Sequence, residues 1–165
     1  MERKDLESWA ADLLRDATAE LEISLEEIRS ISVHGAAALG SIGEDSELLV
    51  VLRGSRPLRL HKARRIPAAD FIITLGEEEF KKDCLREELG GAAAGSLLIP
   101  YIALIGREFV EKSEISYKKH ITLESLQNLV LEHRLASPRL LIKPAYFLYD
   151  KLRRLCAIYP LIRPY

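Results

Sequence analysis

His34-Gly35-Ala36-Ala37-Ala38-Leu39-Gly40, followed after a short spacer by Asp45-Ser46-Glu47-Leu48-Leu49-Val50-Val51-Leu52, is the stretch on which the fold turns. Ahead of it, Ile28, Ile31 and Val33 alternate in the manner of a strand, so the chain from Glu26 to Val33 is predicted to run as a core strand into a sharp turn at Gly35. Glycine at that point permits the turn and a close backbone approach to a ligand, and the N–H groups that open the next element present the positive end of a dipole. Ala36 to Leu39 then opens a short helix. The run from Glu47 to Leu52 has the length and branched apolar content of a buried strand, with Glu47, Leu49 and Val51 on one face.

The spacing of Gly35, Gly40 and Ser46, together with the apolar run Val50 to Leu52, resembles the signature of nucleotidyltransferases of the DNA polymerase β and kanamycin nucleotidyltransferase superfamily. Members of that family carry Gly-Ser at a strand-to-helix turn, a second Gly five residues after the first, and Ser-Asp-x-Asp opening an apolar strand. Here Ala36 replaces the Ser, Glu47 the first Asp and Leu49 the second. The resemblance implies an α/β (α+β) fold, a small mixed sheet flanked by helices. It implies substrate contacts at Gly35, Ala36 and Ser46, and catalytic carboxylates at Glu47 and Asp70. Asp70, just ahead of Phe71 to Leu75, matches the family's third carboxylate; a solvated strand-opening or capping Asp is the alternative. Asp45, Glu47 and Asp70 are the implied ligands of a weakly held Mg²⁺. Leu49 offers no oxygen to Mg²⁺, so a two-metal reaction loses one of its bridging ligands. A shifted register makes Asp45 and Glu47 an acid-x-acid pair, at the expense of the match at Ser46 and the apolar strand.

Outward from this stretch, Leu6, Trp9, Ala10, Leu13, Leu14, Ala17 and Leu21 recur at helical spacing and predict an amphipathic helix over residues 5–21. A basic helix is expected from Pro57 to Arg65 and a third strand from Phe71 to Leu75. Gly90 to Ser96 lacks the Lys-Ser/Thr ending of a phosphate loop and the spacing of a dinucleotide fingerprint, and reads as close backbone packing. Leu97 to Ile105 is compatible with a strand broken at Pro100. A helix is expected over residues 118–135, and Pro144 suits the first turn of a last helix reaching Ala157, with Ala145, Leu148, Leu152 and Leu155 as its apolar stripe. Residues 1–112 are thus expected to form the nucleotidyltransferase-like core and 113–165 a helical extension.

With 165 residues, 48% of them hydrophobic, the chain has material for a sizeable core. The longest apolar stretch is about half of what a bilayer needs, and the charged N-terminus is no signal peptide, so a soluble cytoplasmic protein is expected, with no membrane partner. Cys84 and Cys156 have neither disulfide-framework nor zinc spacing. The net charge of −1 hides segregation: Arg53 to Arg65 holds six basic residues and no acid. Arg59, Lys62, Arg64 and Arg65 are therefore candidates for phosphate contacts, and Tyr146, Tyr149 and Arg153 on the last helix for stacking on unpaired bases. Solvated faces, or a protein interface on the C-terminal helices, are the competing readings. Of four histidines only His34 stands near the turn, where a hydrogen-bonded strand-end role is expected. No nucleophile, base and orienter set suggests Ser or Cys hydrolase chemistry. Three functions remain: a diverged, catalytically impaired nucleotidyltransferase-like domain that binds nucleotide or nucleic acid, an active Mg²⁺-dependent enzyme transferring a nucleoside monophosphate from an NTP, or a structural interaction module.

Overall fold

The computed structural model describes residues 3–39, 46–67 and 69–158. In chain order these form α1 (Arg3–Leu21), a 3-10 turn (Leu25–Glu27), β1 (Ile28–Gly35), a second 3-10 turn (Ala36–Leu39), β2 (Ser46–Leu52), β3 (Arg59–Lys62), β4 (Phe71–Gly76) and α2 (Glu77–Arg86). A 3-10 segment (Ala94–Leu98), β5 (Tyr101–Ile105), α3 (Arg107–His133), another 3-10 segment (Arg134–Arg139) and α4 (Pro144–Ile158) follow. The fold is mixed αβ, as expected. One open sheet has the order β3-β4-β2-β1-β5, with β2 and β4 parallel and every other neighbouring pair antiparallel.

Helices cover both faces of this sheet, and that is why β2 reads as an unbroken apolar run instead of alternating with polar residues. Ile31, Val33, Leu48, Val50 and Ile72 pack with Leu13 and Ala17 of α1. Leu49, Val51, Ile73 and Leu75 face the other way, against Phe80 and Cys84 of α2 and Phe109, Val110, Tyr117 and Ile121 of α3. A smaller cluster of Ile99, Leu152 and Leu155 seats α4 beside the Ala94–Leu98 segment. Among the described residues no helix is long and apolar enough to cross a membrane.

Three expectations are corrected. The basic segment after Pro57 is not a helix: Arg59–Lys62 is an edge strand pairing antiparallel with β4, Arg59 opposite Thr74 and Lys62 opposite Phe71. Pairing to the open edge of β4 overrides local helix propensity, and a short charged edge strand resists pairing with other chains. The helix expected from residue 118 begins at Arg107, with Phe109, Val110, Ser113, Tyr117 and Ile121 as buried positions at helical spacing. Positions 112 and 113 lie inside this one helix. On α4, which does start at Pro144, the buried stripe is Phe147, Leu152 and Leu155, while Ala145 is exposed. Of the stretch Leu97 to Ile105, only the part after Pro100 is strand: Leu97 and Leu98 end a 3-10 segment, and β5 begins at Tyr101.

Candidate functional site

Gly35 ends β1 with φ of 88°, a left-handed value that a side chain disfavours, and its N–H donates to the Pro100 carbonyl at 2.9 Å. The following helix is a single 3-10 turn. Its Ala37 N–H donates to the Ser46 hydroxyl at 2.9 Å, so the side chain expected to meet substrate is engaged within the fold. Ser46 is 3% exposed. Ala36 is half-buried beside the turn. Gly40 and Asp45 lie outside the described residues.

Register fixes the side to which Glu47 projects. Glu47 pairs with His34 on β1 and with Phe71 on β4, so it projects toward α2 and α3, as do Leu49 and Val51. Asp70 stands one residue before β4, half-buried in the bend that leads into it. There its backbone N–H donates to the Ser46 carbonyl at 2.8 Å and its Oδ2 accepts from the Ser46 N–H at 3.4 Å. The Asp70 carboxyl is thus turned back onto the β2 backbone at Ser46. Leu49, in the place of the second family carboxylate, is 1% exposed and packs with Val51 and Ile73.

Glu47 is itself enclosed, at 3% exposure, and neither carboxyl oxygen has a hydrogen-bond partner. Burial pushes its carboxyl up to about 7; the Ser96 hydroxyl lies close enough to oppose this slightly, without the geometry of a hydrogen bond. His34 is fully buried beside it and burial brings its imidazole down to about 4, against weaker opposing effects of the Ser96 carbonyl and of Glu114. A carbonyl can only accept, so Nδ1–H donates to Ser96 O at 2.8 Å and Nε2 accepts from the Ser32 hydroxyl at 2.7 Å. His34 is thus the hydrogen-bonded strand-end residue expected. The Tyr101 ring lies 5.4 Å from it, and the Tyr101 hydroxyl donates to Glu114.

Mg²⁺ needs converging, solvated oxygen donors. An enclosed Glu47 and a Leu49 in the core do not fit a two-metal centre. Leu49→Asp is accordingly expected to lower stability by about 4 kcal/mol or more, through a lost apolar contact and a buried charge, without creating an Mg²⁺ site. Urea unfolding with and without Mg²⁺ checks this; a stable variant whose urea midpoint rises with Mg²⁺ would show that the register permits a metal pair.

The element that encloses Glu47 was not legible as such. Gly90 to Ser96 looked like close packing, and it is: a Cβ on Gly91 (φ 76°) would stand 2.9 Å from the Tyr117 hydroxyl. Its N–H groups turn inward to Asp83 of α2, a fully buried carboxyl. Oδ1 accepts from Leu89 and Gly91 at 2.9 and 3.0 Å, and Oδ2 from Ala93 and Ala94 at 3.1 and 2.9 Å. No spacing rule links an Asp on a helix to amides six to eleven residues on, so the sequence carried no signal for it.

The nucleic-acid candidates do not form one surface. The backbone N–H groups of Arg64 and Arg65 donate to the two carboxyl oxygens of Glu20 on α1, at 2.8 and 3.0 Å. With His61 and Lys62 they border a groove of about 360 Å³ that Glu20 and Glu22 also line. Arg59 and Lys62 leave β3 on opposite faces. Tyr146 and Tyr149 are exposed on α4, and Arg153 pairs with Asp150 at 3.4 Å. That helix packs on the α3 side of the sheet, away from α1. No protein-family model matches the chain, and no curated protein matches it.

Proposed function

We propose that this chain is a diverged nucleotidyltransferase-like domain that does not transfer nucleotides and acts by binding, with nucleotide or nucleic acid as the ligand class. The spacing of Gly35, Ser46 and Glu47 and the order of strands support the relationship. One observation carries the loss of transfer: Glu47, standing where the family has its first metal-binding carboxylate, is 3% exposed beneath Ser96 and without a partner. Lys62, Arg64 and Arg65 supply solvent-facing charge for phosphates. Two thiols without disulfide partners, Cys84 and Cys156, agree with a cytoplasmic setting.

Incubation with labelled NTPs and Mg²⁺ or Mn²⁺ is expected to give no transferred nucleotide, whereas RNA or DNA should bind with an affinity that falls steeply as salt rises. Neutralising Lys62, Arg64 and Arg65 together should flatten the log–log salt slope by about 2–3. Robust transfer abolished by Glu47→Ala would overturn the proposal, and an unchanged slope would return the basic groove to a solvated face. A second reading, a protein-interaction module, is favoured by exposed apolar residues on the distal half of α3: Leu123, Leu126, Val130 and Leu131. Concentration-independent sedimentation as a monomer, with no nucleic-acid binding, would leave a heterologous protein as its partner.

A further inference from the structure

Between α2 and α3, Glu87, His120 and Glu124 bring three ligand atoms within 4.8 Å of one another. His120 and Glu124 stand four residues apart on α3 and so share one face of it. Glu87 caps the C-terminus of α2 in the left-handed conformation, and its carboxyl is turned onto α3. There the Tyr117 hydroxyl donates to Oε1 at 3.2 Å, and the Lys151 ammonium of α4 donates to Oε2. A carboxylate has about four lone-pair sites, so two such donors fix its orientation and leave sites on both oxygens. Hydrogen-bond partners of this kind are what hold ligating carboxylates in place in metal centres. Glu124 is exposed and faces the cleft between α3 and α4, about 360 Å³ in volume, beside Asn128, Asp150 and Lys151.

We infer that Glu87, His120 and Glu124 form a site for a divalent transition-metal ion of the zinc class, with its remaining coordination open to the α3–α4 cleft. The donor set decides the class. One imidazole with two carboxylates suits Zn²⁺, whereas Mg²⁺ takes oxygen and keeps its waters. Bonds of about 2.1 Å at tetrahedral angles put donor atoms about 3.4 Å apart. The three donors must therefore draw together by an ångström or so, and rotation of the exposed Glu124 and half-buried His120 side chains supplies that movement. A divalent ion balances the two carboxylates. Lys151, which now neutralises Glu87, either stays as an outer donor or swings into the cleft. The site uses none of the residues of the nucleotidyltransferase-like reading and stands or falls apart from it.

Titration of the untagged full chain tests it, with Zn²⁺ followed by calorimetry and Co²⁺ by its visible absorption. The expected result is one equivalent of either ion, a higher melting temperature in Zn²⁺, and no shift with Mg²⁺. His120→Ala and Glu124→Gln should each weaken binding by about tenfold or more. His133→Ala, a histidine lining the same cleft, should leave it unchanged. Because Glu124 is exposed, Glu124→Gln keeps the test sound if His120→Ala folds poorly. Absence of Zn²⁺ heat and Co²⁺ bands, or undiminished binding by the Glu124→Gln chain, overturns the site.

Discussion

Asp83→Ala is expected to unfold the chain or bring it to the edge of unfolding. The Asp83 carboxyl is fully buried and accepts four backbone N–H groups, from Leu89, Gly91, Ala93 and Ala94. Removing it leaves those donors inside the protein with no acceptor, and each buried donor left unpaired costs about 1–3 kcal/mol. Some of this is recovered as the segment relaxes toward water. A net loss of about 4–6 kcal/mol remains, against a total stability of about 5–15 kcal/mol for a domain of this kind. Asp83→Asn should cost less but still about 2–3 kcal/mol, because the amide keeps one accepting oxygen and turns an NH₂ group toward N–H donors. Urea unfolding of both variants measures the loss, and hydrogen exchange should show amides 89–94 losing protection first. An Asp83→Ala chain within about 1 kcal/mol of the parent would mean that the segment is held by its apolar contacts and not by the carboxyl.

What the sequence made legible follows from where a local rule and the tertiary arrangement agree. The strands at Val33, Val50 and Ile73 were readable because β2 and its neighbours are covered on both faces, so continuous apolar runs and a glycine turn had no competing interpretation. Arg59–Lys62 was misread because its strand exists only through pairing with the open edge of β4, a partner no local pattern announces. The candidate site was half legible. Spacing placed Glu47 and Leu49 on one face, and the structure agrees. That Asp70 is held by the Ser46 backbone follows from the parallel pairing of β2 with β4, knowable only once the strands are paired. Ser96 meets His34 and Glu47 across about 50–60 residues of sequence, and the segment that carries it is held by Asp83 through no motif. Charge patterning likewise identified Lys62, Arg64 and Arg65 without showing that Glu20 and Glu22 share their groove.

The pH dependence of stability should be nearly flat in the parent between about pH 4.5 and 6.5 and become steep when Glu47 is replaced by Gln. Two buried groups act in opposite directions. Glu47 keeps its proton up to about 7 in the folded chain and loses it near 4.5 when unfolded. Between those values the folded state binds more protons, so this group makes stability fall as pH rises, by about 3 kcal/mol across the whole window. His34 is held neutral down to about 4 when folded and gains its proton near 6.5 when unfolded. Between those values the unfolded state binds more protons, so His34 makes stability rise with pH by a similar amount. Where the windows overlap the two slopes cancel. The carboxyls of Glu27, Glu77, Glu79, Glu108 and Glu114 are all lowered from their ordinary value and act below about 4.5, outside the overlap. Glu47→Gln removes one arm, so the variant should gain stability at about 1.4 kcal/mol per pH unit across the overlap. Its advantage over the parent should grow from near zero at pH 4 to about 1–3 kcal/mol at pH 8, the lower end reflecting an amide that must also find partners in that enclosed place. Urea unfolding of both chains at half-unit steps of pH measures the two curves. If the parent instead gains stability through this range in step with the variant, the Glu47 carboxylate is charged in the fold and balanced by a cation, and the case for a disabled transfer site loses its main support.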